Sequence, residues 1–288
     1  MIESSMPRGP GGPVEITSAR EAYNHLAPRF DSLMNQNAVL AHVGRTSLRL
    51  VRDALSHSNR VLDIGSGTGR EAIEMARSGK RVVACDPSEE SLRILRRKAE
   101  EQGLSELITT VPCAASGIDP LLARFGAHSF DGAYSSFALS YEPSLEPIPE
   151  KVWSVLMPGS PFLCSIYNRL CLAEVLLFAP FLVPRRAFRR LEGKTVLPVD
   201  RFQVVVRSYT RTEVVSQFEP RFILERAWAI PCVVPPNYLS ILLERAGPLR
   251  PAWEALDLHL NGRWPFRHLG SHTAYLFRAR ERTATREG

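Results

Sequence analysis

Residues 61–69 read Val-Leu-Asp-Ile-Gly-Ser-Gly-Thr-Gly, and the rest of the chain is arranged around this stretch. Val61 and Leu62 open an apolar strand, and three glycines then turn the chain into a helical run that starts at Arg70. Glycine adopts positive φ without a steric penalty and lets a ligand approach the main chain closely. The first N–H groups of the following helix are available to such a ligand. The sequence therefore predicts a nucleotide-type site at the carboxyl ends of parallel strands.

The spacing of this turn departs from the dinucleotide fingerprint. A Gly-x-Gly-x-x-Gly/Ala pattern that begins at Gly65 requires Gly or Ala at position 70, where this chain has Arg70. Asp63 stands two residues before the first glycine, and a carboxylate there suits an ammonium group better than a pyrophosphate. Asp86 ends a second predicted strand over 81–85, where an acid accepts hydrogen bonds from ribose hydroxyls. S-adenosylmethionine, which has a ribose and an amino group but no phosphate, fits these features.

Four segments resemble the class I S-adenosylmethionine-dependent methyltransferases of the small-molecule type: 61–69, 82–88, 130–137 and 156–165. The resemblance implies a doubly wound α/β fold whose seven-stranded sheet has six parallel strands, an antiparallel last strand and helices on both faces. It also implies S-adenosylmethionine as the cofactor. The implied cofactor-binding residues are Tyr23, Asp63, Gly65, Ser66, Gly67, Thr68, Gly69, Asp86, Pro87, Ser88, Ala114, Ala115, Ser135 and Ser136.

The segment 22–31 is similar to a Tyr-Asp-x-x-Ala-x-x-Tyr-Asp run that folds over the cofactor in that family. Asn24 and Phe30 replace the usual Asp and second Tyr. The resemblance implies that Tyr23 lies near the carboxylate of the cofactor. The alternative is that Tyr23 and Phe30 only pack this helix on the sheet.

The catalytic group is not identified by the sequence. Many relatives have a His just after the fourth strand of the sheet, where this chain has Ser140 and Tyr141. Tyr141 and His272 are the candidates for a group near the methyl acceptor, and for His272 a purely structural role is the simpler interpretation. Methyl transfer depends mainly on alignment, so a missing base does not exclude activity.

Strand and helix patterns alternate between 60 and 167, which predicts one domain with a parallel sheet. Helices are predicted over 18–40 and 48–55. The predicted domain is 17–279, between a disordered tail, 1–16, and a flexible tail, 280–288. Its predicted parts are a helical cap 18–56, a cofactor-binding core 57–167, a lid insertion 168–207, and a closing helix and strands with a further insertion, 208–279.

Residues 170–184 form an apolar run, and four arginines follow between positions 185 and 190. The run is too short to cross a bilayer and is interrupted by Glu174 and Pro180. Three interpretations remain open: an ordinary buried helix, a lid over an apolar substrate, or an interfacial segment over 170–190 that makes weak contact with a membrane surface.

Charge and cysteine content limit the classes of partner and the cellular compartment that we expect. Residues 181–250 hold twelve Lys or Arg and six Asp or Glu, an excess equal to the net charge of +6 for the whole chain. Such a basic half can meet nucleic acid, an anionic membrane or an acidic substrate, or it can be a solvated surface. The five cysteines form no C-x-x-C pair and no metal-ligand spacing, which favours a reducing compartment, and we expect a cytoplasmic protein without a bound metal.

The sequence thus predicts an enzyme that methylates an O, N or C atom of a small, fairly apolar metabolite. One alternative is a tRNA or rRNA methyltransferase, although residues 135–138, Ser-Ser-Phe-Ala, lack the Asp/Asn-Pro-Pro-Tyr and Pro-Cys motifs of such enzymes. The other alternative is a cofactor-binding partner protein that has lost turnover. The sequence does not indicate an oligomeric state.

Overall fold

A computed structural model describes residues 16–178 and 188–281 and contains two sheets. The strands are β1 (Ile16–Thr17), β2 (Arg60–Ile64), β3 (Arg81–Cys85), β4 (Ile108–Val111), β5 (Gly132–Ser135), β6 (Pro161–Tyr167), β7 (Lys194–Val199), β8 (Phe202–Arg207), β9 (Phe222–Ile230) and β10 (His272–Ala279). The helices are α1 (Ala19–Gln36), α2 (Ala38–Ala54), α3 (Arg70–Arg77), α4 (Glu89–Glu101), α5 (Asp119–Phe125), α6 (Ile148–Val155), α7 (Leu172–Phe178), α8 (Arg211–Phe218), α9 (Ser240–Arg245) and α10 (Arg250–Leu260). Nearly all of both predicted tails, and positions 179–187 of the predicted membrane-contact segment 170–190, lie outside the described residues.

The larger sheet has seven strands in the order β4-β3-β2-β5-β6-β10-β9. Neighbours from β4 to β6 are parallel, and β10 is antiparallel to both β6 and β9. Six strands therefore point one way and only the last strand in sequence points the other way, which confirms the predicted fold class. This topology places the loops that follow β2, β3, β4, β5 and β6 along one edge of the sheet, together with the start of β10.

The N-terminal helical segment differs from the prediction of one helix over 18–40 and another over 48–55. Asn37 breaks it, because its backbone is extended and its side chain accepts hydrogen bonds from the N–H groups of Val39 and Leu40. Asparagine is a favoured N-cap for this reason. The chain therefore forms α1 and α2 as two separate helices.

A second sheet, which was not predicted, has two of its three strands within the predicted insertion 168–207. Strands β7 and β8 form an antiparallel hairpin around Asp200 and Arg201, and β1 pairs with β8. Asp200 takes positive φ, 54°, as tight hairpins require. The two β-branched runs on either side of a short polar turn were the available signal.

The later insertion, between β9 and β10, is folded rather than a long loop. Asp257 on α10 is fully buried, and its Oδ1 accepts hydrogen bonds from the N–H groups of Cys232, Val233 and Val234. Its Oδ2 lies 2.9 Å from Nε2 of His42 on α2. This carboxylate therefore fixes the insertion to the N-terminal helices. Within 16–178 and 188–281, no helix is long and apolar enough to cross a membrane.

Candidate active site

The glycine turn after β2 has the backbone that the sequence predicts. Gly65, Gly67 and Gly69 all take positive φ, at 74°, 53° and 83°. A Cβ on Gly65 would lie 2.1 Å from the Cβ of Ala138, in the loop after β5. A Cβ on Gly67 would meet nothing within 4 Å. The first glycine is therefore required by packing, whereas the second borders open space where a ligand can approach.

Asp86, after β3, is bonded to this turn. Its Oδ2 accepts a hydrogen bond from the Gly67 N–H, and its Oδ1 accepts one from the Ser88 N–H, both at 2.8 Å. Burial raises the pKa of this carboxyl, and the two N–H groups oppose that shift. Each carboxylate oxygen keeps a further lone pair for a ligand hydroxyl. Asp86 and Pro87 thus lie directly opposite the glycine turn.

Asp63 lies at the end of β2 and is only 2% exposed. Burial raises the pKa of Asp63 well above its usual value, and the neighbouring Glu71 carboxyl raises it further. Glu71 is also buried, beside Ser47 of α2, whose hydroxyl donates to it at 3.3 Å. Buried acids close together favour a cation beside them. Arg70 is already paired with Glu71, so the carboxyl on this side of the turn that is left for an ammonium or sulfonium group is that of Asp63.

Helix α1 covers the same loops through side-chain hydrogen bonds. Thr68 Oγ1 donates to Asp31 Oδ1 at 2.6 Å, and Ser88 Oγ donates to Asn24 Oδ1 at 2.7 Å. Lys98 of α4 forms an ion pair with Asp31 as well. In the sequence, Asn24 stands out only as a departure from a motif, and Asp31 was not among the candidate residues. The motif at 22–31 was the signal that could have identified both.

Tyr23 also lies at this edge, where its hydroxyl is 2.8 Å from that of Tyr141. Burial raises the pKa of both phenols, so both are neutral at physiological pH. The Tyr23 ring packs edge-on against Phe30, 6.1 Å between centroids. Tyr23 therefore has the packing role considered above and also stands at the edge where the cofactor is expected.

The loop after β4 carries Ala114 and Ala115 to the edge beyond Asp86. The Ala115 N–H donates to Glu142 Oε1 at 2.9 Å, which joins this loop to the one after β5. Glu142 was not among the sequence candidates, because only the fold brings it beside Ala115.

The two serines after β5 have different surroundings. Ser135 is 1% exposed, and its hydroxyl donates to the Ile64 carbonyl at 2.8 Å. This side chain therefore links strand β5 to strand β2. Ser136 Oγ lies 3.1 Å from Ser47 Oγ, next to Glu71. Of the two, only Ser136 is placed among the polar groups around the glycine turn.

Aromatic rings line the edge beyond Ser136. Phe137 takes positive φ, 63°, which is unusual for a bulky residue. Its ring centroid is 4.9 Å from that of His272, and the His272 ring is 5.0 Å from Tyr167. His272 is the first residue of β10 and pairs with Tyr167, the last residue of β6. Position 272 therefore stands at the carboxyl edge of the sheet.

The imidazole of His272 is held uncharged. Burial lowers its pKa to about 3, and the positive charge of Arg190 contributes to this shift. Its Nδ1 is buried and has no hydrogen-bond partner among the described residues. An uncharged ring nitrogen of this kind can accept a hydrogen bond from a bound molecule.

A buried ion-pair cluster lies behind His272. Glu174 is fully buried and accepts hydrogen bonds from Arg189 and Arg190, the shortest at 2.6 and 2.7 Å. The Arg190 guanidinium lies 3.9 Å from the centre of the Tyr167 ring and donates to the Ser271 carbonyl at 2.9 Å. These contacts fix α7 against the start of β10. Residues 16–178 and 188–281 contain no group of three His, Cys, Asp or Glu arranged to hold a metal ion.

Comparison with known proteins identifies the central part of the chain. Residues 61–159 match the family model described as a methyltransferase domain. The tRNA 5-carboxymethoxyuridine methyltransferase of Escherichia coli (strain K12) is 31% identical over 109 residues, 38% of this chain and 40% of that protein. The demethylmenaquinone methyltransferase of Porphyromonas gingivalis is 31% identical over 152 residues, 51% of this chain and 59% of that protein. The chain thus spans about half the length of these curated relatives.

Solved structures show the same fold. The 1,6-didemethyltoxoflavin-N1-methyltransferase of Burkholderia thailandensis, with S-adenosylhomocysteine bound, has a TM-score of 0.51 at 16% identity, over 92% of both chains. The [4+2]-cyclase SpnF has a TM-score of 0.60 at 15% identity, over 93% of this chain and 98% of that one. Because a cyclase is among these structures, the fold alone does not specify the reaction.

Residues 61–159 thus form a methyltransferase domain, and the fold is that of the class I S-adenosylmethionine-dependent methyltransferases, which confirms the resemblance seen in the sequence. S-adenosylmethionine is the cofactor of this class. The residues around the glycine turn fit it, because the space at Gly67 is open and the buried Ser66 hydroxyl has no hydrogen-bond partner in the part of the chain that the structure describes. The buried acids Asp63 and Asp86 also suit a ligand that carries positive charge.

The two glycines provide a paired test. Gly65→Ala forces a clash with Ala138 and should lower both the free energy of unfolding and the affinity for S-adenosylhomocysteine. Gly67→Ala meets no protein atom, so it should cost only about 1 kcal/mol of backbone strain yet weaken the ligand markedly. Denaturant titration and calorimetry measure the two effects. A Gly67→Ala variant that binds S-adenosylhomocysteine like the wild type would contradict the assignment of the open space at Gly67 to the ligand.

The neutral state of His272 predicts a pH dependence of stability. In the unfolded chain this imidazole takes up a proton below about pH 6.5, whereas the folded protein resists protonation down to about pH 3. The stability tied to His272 is therefore complete above pH 6.5 and is lost as the pH falls. Between pH 6 and 4.5 the free energy of unfolding should fall about 1.4 kcal/mol per pH unit more steeply in the wild type than in His272→Leu. Parallel curves for the two proteins would show that the imidazole is not held neutral.

Proposed function

We propose that this chain transfers the methyl group of S-adenosylmethionine to an O, N or C atom of a small, fairly apolar molecule. The observation that carries the choice of acceptor is the group of rings beyond Ser136, where the ring centroids of Phe137 and Tyr167 lie 4.9 and 5.0 Å from that of His272. Such a surface binds apolar or aromatic molecules and offers few groups to a phosphate backbone.

The cofactor, when bound, supplies a methyl group already activated on a sulfonium. In this proposal Asp86 accepts hydrogen bonds from its sugar hydroxyls, and Asp63 lies on the side of its amino group. Gly65 to Gly69 approach it through their main chain, with Ser66 and Thr68 as polar neighbours. Helix α1 excludes water, because Asn24 and Asp31 are bonded to the loops on both sides.

Further groups at the edge complete the proposed cofactor site. Pro87 and Ser88 stand beside the sugar, and Ala114 and Ala115 beside the base. Ser136 and Tyr23 would border the methionine portion. The hydroxyl of Ser135 is engaged by the Ile64 carbonyl, so Ser135 would contribute its backbone alone.

His272 is the proposed orienting group for the acceptor. Its unpartnered Nδ1 accepts a hydrogen bond from an O–H or N–H of the bound molecule, and its ring position is fixed by Phe137 and Tyr167. A pKa of about 3 keeps this nitrogen unprotonated at neutral pH, so it acts as an acceptor. Tyr141 is a less direct candidate, because its hydroxyl is paired with that of Tyr23.

A nucleic-acid acceptor is the second candidate, since one relative acts on tRNA. The basic residues after position 181 support a nucleic-acid acceptor less than their number in the sequence suggests. Arg190 is buried on Glu174, and Arg221 and Arg250 are paired with Glu150 and Glu254. Tight, salt-dependent binding of tRNA by the purified protein would favour this alternative.

The proposed reaction is tested by incubating the protein with methyl-labelled S-adenosylmethionine and a metabolite extract, and then identifying the labelled product. Label should enter organic-extractable molecules with the wild type and with Asp119→Ala, a control at an exposed acid. Asp86→Ala should lose nearly all transfer, because the sugar contacts are removed. Label confined to RNA would favour the second candidate, and no label despite binding of S-adenosylhomocysteine would indicate a partner protein without turnover.

The role of His272 is tested with the acceptor found in that assay. His272→Leu removes the ring nitrogen and should lower kcat about a hundredfold, with S-adenosylhomocysteine affinity unchanged. His272→Asn places an oxygen near the position of Nδ1 and should recover part of that loss. If both variants keep the wild-type kcat, His272 is structural.

A further inference from the structure

Six large apolar side chains are exposed on the two segments that surround the aromatic edge of the site. We call them the insertion face: Leu176 at 64%, Ile241 at 45%, Leu242 at 40%, Leu249 at 70%, Leu256 at 49% and Trp264 at 78% exposure. Single exposed apolar residues are common, but five of these six fall within residues 241–264, and a concentration of this kind is typical of an interaction site.

Helix α10 and Leu249 just before it carry part of this face. Leu249, Ala252 and Leu256 follow one another at intervals of three and four residues, so they lie on one side of the helix. All three are exposed, whereas Asp257 is fully buried and Trp253 packs against the core. A surface helix normally turns its apolar side inward. Here apolar side chains lie on the outer side as well.

Helix α7 joins the same surface. The Phe178 ring stacks on Tyr238, just before α9, with 6.3 Å between centroids. The Leu172 N–H donates to the Leu269 carbonyl at 2.7 Å. Since α7 follows β6 closely, the two segments meet at the carboxyl edge of the sheet, beside the proposed acceptor site.

The charges around the insertion face identify its partner. Arg245 and Arg263 are exposed and form no ion pair with the described residues. Glu244, next to Arg245, is an exposed acid on the same segment, so the two arginines leave a small positive excess, which suits an anionic surface. Tryptophan beside arginine is typical of segments that lie in the head-group region of a bilayer.

We propose that the insertion face docks on the surface of a bilayer that contains anionic phospholipid. Leu249, Leu256 and Trp264 enter the head-group boundary, and Arg245 and Arg263 meet the phosphates. This places the aromatic edge of the site beside the lipid, so that an apolar acceptor reaches it without crossing water. The surface is distinct from the predicted contact segment 170–190 except at α7.

The test is flotation of the full-length protein with vesicles of phosphatidylcholine and phosphatidylglycerol at a three-to-one ratio. The wild type should float with these vesicles, less with pure phosphatidylcholine, and less in 0.5 M NaCl, where surface charges are screened. The measurement needs neither cofactor nor acceptor, so its outcome is independent of the methyl transfer assay. A wild type that stays with the soluble fraction would overturn the proposal.

Variants at exposed positions distinguish binding through the insertion face from nonspecific adsorption to vesicles. Leu249→Ser with Trp264→Ser should lower vesicle binding about a hundredfold, at about tenfold for each large apolar side chain removed. Ile223→Ser is the control, since Ile223 is 50% exposed at the end of β9 opposite the site, and it should bind like the wild type. Equal loss in the control would refute the assignment. A dimer in sedimentation that the double variant abolishes would instead assign the face to a second copy of the chain.

Discussion

Two carboxylates buried at one glycine turn are the constraint on which the site depends. Burying a carboxylate costs free energy unless hydrogen bonds or opposite charge compensate it. Asp86 is compensated by the N–H groups of Gly67 and Ser88, which at the same time fix the distance between two loops. Asp63 is not compensated to the same extent, and its pKa is raised well above normal. A ligand that brings a positive charge would relieve this cost, which is a physical reason for the cofactor of this class.

The remaining structure holds this turn in place and closes it on two sides. Helix α1 is bonded to the loops after β2 and β3 and is supported from behind by the β7–β8 hairpin, where Ala22 and Leu26 pack with Val199 and Val204. On the other side, the cluster around Glu174 fixes α7 near His272. The polar cofactor side and the aromatic acceptor side are thus built from different parts of the chain.

Local sequence patterns predicted the elements that depend on neighbours in the chain. The glycine turn and the alternation from 60 to 167 follow from spacing and composition, whereas the antiparallel last strand was implied by the family resemblance, and the fold agrees with all three. Asn37 was missed because one capping side chain outweighs the helical pattern that continues on both sides. The hairpin around Asp200 was missed because the apolar run before it dominated the interpretation of 168–207.

Contacts between distant positions outside the predicted edge of the sheet could not be predicted. His42 and Asp257 are 215 positions apart, and nothing near either residue indicates the other. Likewise, the excess of arginine after position 181 indicated a charged surface, but Arg190 is buried on Glu174 and stacked over Tyr167. The number of charged residues can be counted in the sequence, whereas the fold decides which of them form ion pairs.

The most direct test of the central claim is calorimetric titration of the purified protein with S-adenosylmethionine, S-adenosylhomocysteine, NAD and ATP. The two sulfur nucleosides should bind with a stoichiometry of about one, and Asp63→Asn should weaken both of them, because both carry the amino group that Asp63 faces in this account. NAD and ATP should give no binding heat, because phosphates are repelled by the buried acids. Binding of NAD or ATP in preference to both sulfur nucleosides would contradict the account.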